Sequence, residues 1–67
     1  VRKLQINLAG SWRDVLRFDE VAIYDVRIHA RNLAQLADGK PSMRIADESN
    51  TCLERLCPPE YKWVNVR

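Results

Sequence analysis

The sequence predicts an α+β fold, a two-layer sandwich in which a single helix packs on a mostly antiparallel sheet in the order β-β-α-β-β. Three observations lead there: strict alternation over residues 4–8, a helical period over residues 20–37, and two further short β-type segments beyond Asp38-Gly39-Lys40-Pro41. With 67 residues the chain is expected to form one small domain, residues 1–67, with a thin margin of stability.

In LQINL, Leu4, Ile6 and Leu8 fall on one side and Lys3, Gln5 and Asn7 on the other, the period of a half-buried strand. Ala9-Gly10-Ser11 supplies a tight turn in which Gly10 can take positive φ, and WRDVLRF resumes as a second strand. Its alternation has a defect, because Asp14 shares a side with Trp12, Leu16 and Phe18, and a carboxylate in a core is costly. Either a bulge near Asp14 turns Trp12 and Val15 inward together, which is the preferred reading, or the strand lies at an edge where Asp14 reaches water.

Asp19 is placed as a helix N-cap, with Phe18 before it and Ile23 spaced to clamp the start, and Glu20 suits the positive end of the dipole. At 100° per residue, Ala22, Ile23, Val26, Ala30, Leu33, Leu36 and Ala37 gather on the face expected to lie on the sheet. Gly39 is positioned for a left-handed cap, and Pro41 cannot continue the helix. SMRIAD reads as a third strand and DESN as a turn. TCLERL reads as a fourth strand in preference to one capped helical turn stopped by Pro58-Pro59. YKWVNVR is a fifth strand or an extended tail.

Eleven basic and nine acidic side chains leave a net charge of +2, spread without the Lys/Arg block of a nucleic-acid arm. Two cysteines, Cys52 and Cys57, are too few for a disulfide framework, and Cys57 is expected to fill a gap in the core. The N-terminal segment has no unbroken apolar run for a signal peptide or membrane span, so a reducing cytoplasm is the expected location.

Chemistry is hard to place on this sequence. A Ser or Cys nucleophile needs a neighbouring base, and the one histidine, His29, sits on the border of the buried helical face. A lone C-x4-C with a distant histidine does not complete a zinc site, and residues 9–11 lack the pattern of a phosphate loop. The expectation is therefore a protein that is not an enzyme, with no metal, cofactor or small-molecule substrate.

Binding is the reading left. Val21, Tyr24 and Ile28 lie within about 60° of one another on the wheel and nearly opposite the alanine-rich face, with Arg31 and Gln35 extending the row. Such a stripe is scattered surface apolarity, or is covered by Trp63 or Val64 of a folded-back YKWVNVR, or is a protein interface, whose centres favour tyrosine, aliphatics and arginine. Val21, Tyr24, Arg27, Ile28 and Arg31 are accordingly the candidate protein-binding residues, for a separate partner or a second copy of the chain. The alternative is a small nucleic-acid binder using Lys3, Arg13 and Arg17 on a basic strand face.

The run KLQINLAGSWRDVLRFDEV, followed by a long helix and MRIAD, resembles small proteins of bacteriophages and prophages that open on a KLQxNLxGSWRxVxxFD pattern. The resemblance covers roughly the first third of the chain and carries no catalytic motif. It implies an accessory protein of the bacterial cytoplasm that acts by binding a host or phage complex, an inhibitor such as an anti-CRISPR protein being one instance.

Overall fold

The computed structural model describes residues 1–38 and 40–66. Strand β1 (Arg2–Leu8) turns into β2 (Ser11–Phe18), a 3₁₀ turn (Glu20–Ala22) leads into helix α1 (Ile23–Leu36), and β3 (Met43–Ala46), β4 (Cys52–Cys57) and β5 (Lys62–Asn65) follow. The result is an α+β fold with one helix packed on one sheet of five strands, in the spatial order β2-β1-β3-β4-β5 with every neighbouring pair antiparallel. TCLERL is a strand, and the C-terminal segment adds a fifth at the edge of the sheet.

The β1–β2 turn has Ala9 at φ 53° and Gly10 at φ 84°, both left-handed, as a two-residue turn between twisted strands requires. Glycine adopts this region freely, whereas Ala9 does so against a steric cost. A bulge near Asp14 is present, since the register steps from Leu4↔Leu16 to Gln5↔Asp14 and leaves Val15 without a partner. It does not turn Trp12 and Val15 inward together. Trp12 stands opposite Asn7 on the sheet face turned away from the helix, and Val15 is exposed. β2 is also an edge strand, so both devices considered for Asp14 operate at once.

Asp19 precedes the first helical turn, but its side chain makes no capping bond; its carbonyl oxygen accepts from the Ala22 N–H at 2.9 Å, which is why the chain enters as a 3₁₀ turn. Phe18 and Ile23 belong to the same apolar cluster, as the clamp at the helix start requires. The expected cap at Gly39 lies outside the described residues. Lys40 follows at φ 48° and donates its ammonium to the Gln35 carbonyl at the helix C-terminus.

The helix is rolled relative to the predicted face. Ala30 and Ala34 are buried and Ala22, Ile23 and Val26 pack against the core, whereas Leu33 is 51% exposed and Leu36 84%. Arg27 drives the roll: its guanidinium clamps Glu54 of β4 in a bidentate pair at 2.9 and 2.8 Å, and its carbonyl accepts the Trp63 indole N–H of β5 at 2.9 Å. These contacts tie the Arg27 side of α1 to β4 and β5, and Leu33 and Leu36 lie exposed on the other flank. Met43, Ile45 and Leu56 from the central strands are fully buried beneath it. Tyr61 closes the end of this core, 3% exposed, with its hydroxyl donating to the Pro41 carbonyl at 3.2 Å.

Candidate functional site

Two surfaces stand out, one on each side of the molecule. On the helix layer, Val21 is 90% exposed, Tyr24 73% and Ile28 57%, so the stripe is open to solvent as the wheel places it. The C-terminal segment does not cover it. Trp63 lies beside α1 with its indole bonded to the Arg27 carbonyl, and Val64 belongs to the other side of the sheet, opposite Arg55.

Ile28 links the stripe to a groove between α1 and β5. That groove, about 360 Å³, has Ile28, Tyr61 and Trp63 along it and Arg31 and Lys62 at its rims. Arg31 is exposed there, whereas Arg27, which also lines the groove, is half-buried and turned to Glu54. The Glu54 hydrogen bond raises the Arg27 pKa further above its ordinary value, overcoming the opposing effect of its partial burial, with Coulombic contributions from Glu54 and Tyr24. Arg27 also sits 5.5 Å from the Tyr24 ring centroid. Of the five residues picked out for protein contact, four present themselves outward, and Arg27 instead braces Tyr24 from the inner side.

The other surface is the face of the sheet that no helix covers. Cross-strand register assigns its residues: Lys3 stands opposite Arg17, Gln5 between Asp14 and Arg44, Arg44 opposite Arg55, and Cys57 opposite Lys62. Arg13 is excluded, because the bulge at Val15 puts it opposite Ile6 on the helix side. The expected trio of Lys3, Arg13 and Arg17 is therefore divided between the two faces. Counting two-residue steps along β2 missed this, since one unpaired residue inverts the side of everything before it.

Arg44 and Arg55, which the sequence reading did not select, take the place of Arg13. Both fall at alternate positions in segments read as strands, and pairing β3 with β4 would have placed them side by side. A polar lattice holds Arg44: its Nε donates to Gln5 Oε1 at 2.7 Å, and Gln5 Nε2 donates in turn to Asp14 Oδ1 at 2.7 Å and Asn50 Oδ1 at 3.2 Å. The guanidinium carbon lies 4.3 Å from the Trp12 ring centroid. Gln5 is only 3% exposed, and this lattice uses both ends of its amide.

Cys52 and Cys57 are free thiols, and Cys57 is exposed and does not fill the core. His29 is exposed too. Among the described residues no three His, Cys, Asp or Glu side chains come together as a metal site would require, and no helix is long and apolar enough to cross a membrane. Comparison of the chain with protein-family profiles, with curated proteins and with solved structures finds no match.

Proposed function

We propose that this chain is a non-enzymatic protein-binding module that docks through the outward face of α1. As the resemblance to phage and prophage proteins implies, it would be an accessory that binds a host or phage protein complex in the bacterial cytoplasm, or a second copy of itself. One observation carries the reading: the exposed stripe of Val21, Tyr24 and Ile28 meets, at Ile28, the α1–β5 groove lined by Trp63 and Tyr61. Scattered surface apolarity is normal, but an exposed aromatic and two aliphatics on one helix face adjoining a groove have the make-up of an interface centre. Arg31 and Lys62 at the rims favour a partner segment with carboxylates beside its apolar anchor.

The test is a double variant, Tyr24→Asp with Ile28→Lys, compared with the wild type by light scattering after size exclusion and by affinity capture from a bacterial lysate. Both side chains are exposed, so the fold and its circular dichroism should be retained while assembly or capture is lost. A folded variant that keeps the same mass and the same captured proteins would overturn the proposal.

A further inference from the structure

We infer that the open face of the sheet is a second binding surface, for single-stranded nucleic acid, built on Lys3, Arg17, Arg44 and Arg55 on the same face as Trp12. This is independent of the helix-face proposal.

The first ground is charge. Among the strand residues of this face, Asp14 is the one carboxylate, set against Lys3, Arg17, Arg44 and Arg55, and Glu60 shares a groove with Arg55 and Lys62 at the β4–β5 edge, although the chain as a whole is nearly balanced. Acidic residues sit elsewhere: Glu20 pairs with Arg2 and Glu54 with Arg27 on the helix side, and Glu48 pairs with the N-terminal amine. Asp14 is bonded to the Gln5 amide and forms no ion pair with the cations of its own face. The excess positive charge is thus concentrated on one side.

The second ground is a local rule that the fold breaks. Arg44 and Arg55 are directly opposite on adjacent strands, where like charges destabilise a sheet and where the spacing of about 5 Å is well inside the screening length at physiological salt. Arg44 relieves this by leaning the other way, across Gln5 toward Trp12. The Arg55 and Arg17 side chains, both exposed, have no hydrogen-bond or ion-pair partner among the described residues. An unopposed cation pair retained in a sheet centre is a place where an anionic ligand would restore the balance.

The third ground is shape. A duplex is read by an element that enters a groove, and this face carries none; its one strand aromatic ring is already stacked with a guanidinium. Such a platform suits a single strand, whose phosphates can follow the cations while an unstacked base lies against the exposed side of the Arg44 plane.

The experiment is fluorescence anisotropy of a labelled single-stranded oligonucleotide, titrated with the full chain from low to physiological salt. Binding should weaken with a log–log salt slope of roughly −2 to −3 for three or four phosphate contacts. Arg17→Glu with Arg55→Glu should lower affinity by about tenfold or more at low salt, because both contacts are lost and repulsion is added. The Tyr24→Asp, Ile28→Lys variant should bind as the wild type does. Absence of binding by the folded protein at low salt, an unchanged affinity in the arginine double variant, or equal binding of duplex DNA or polyglutamate would each overturn the inference. Circular dichroism of each variant guards against loss of fold, and Arg55→Gln provides a milder form should the double reversal unfold.

Discussion

On the outward side of α1, Val21, Tyr24 and Ile28 leave apolar area in water; on the open side of the sheet, Arg17, Arg44 and Arg55 leave positive charge with almost no carboxylate to meet it. The same few residues separate the two, Met43, Ile45 and Leu56 from the strands and Ala30 and Ala34 from the helix. A chain of this length has one small core and two large exteriors. The contrast teaches that its surfaces are differentiated by chemistry: contacts to the helix face should depend weakly on salt, and contacts to the sheet face steeply.

The comparison breaks altogether if the shared core is emptied. Leu56→Ala should cost about 2–5 kcal/mol, enough to unfold much of the population, and both proposed contacts should be lost together in a urea titration. A more selective break is Glu54→Gln, which leaves Arg27 without its carboxylate. Glu54 is mostly buried and Arg27 one-third exposed, so a loss of about 2 kcal/mol is expected, between the exposed and buried limits for ion pairs. It should loosen the helix seat and the α1–β5 groove while leaving oligonucleotide binding intact.

Tyr61 offers a pH-dependent test. Burial, with a smaller contribution from Cys57, raises its phenol above the ordinary tyrosine range. The unfolded chain therefore releases this proton first, so the contribution to stability is complete below about pH 10 and is lost as pH climbs through the folded value. Thermal melts should fall across that alkaline window, and Tyr61→Phe should flatten the fall at a cost of about 1 kcal/mol at neutral pH for the hydrogen bond to Pro41. The smallest effect is Ala9→Gly at the β1–β2 turn. Relief of the left-handed alanine should gain about 0.5–1 kcal/mol in chemical denaturation, offset in part by unfolded-state entropy, with neither face altered.

Much of the architecture was legible because local signals agreed with one another. The alternation of LQINL, the turn at Gly10, the break after Ala37 and the strand reading of TCLERL each appear as expected. Two features were not legible, and both depend on partners distant in the chain. The roll of α1 follows from Arg27 meeting Glu54 and Trp63, residues 27 and 36 positions away, so an apolar count on the wheel placed Leu33 and Leu36 inside. The division of Arg13 from Arg17 follows from a bulge whose position was suspected but whose consequence for the arginines needed the pairing with β1. The stripe of Val21, Tyr24 and Ile28 was visible at once, since exposure opposite an alanine face survives a modest roll of the helix.

The order of strands has a consequence for how the molecule comes together. β1 with β2 is a hairpin and β3 with β4 and β5 a meander, each closed by short loops, and they join along a single seam between β1 and β3, in which Lys3 meets Ala46. Each of the two can zip locally soon after it exists, but the seam must wait for a long loop to close, with α1 inside that loop. Assembly is thus expected to be paced by this one late stitch, and a nick between α1 and β3 should yield two complementary pieces that recover the native form only when mixed.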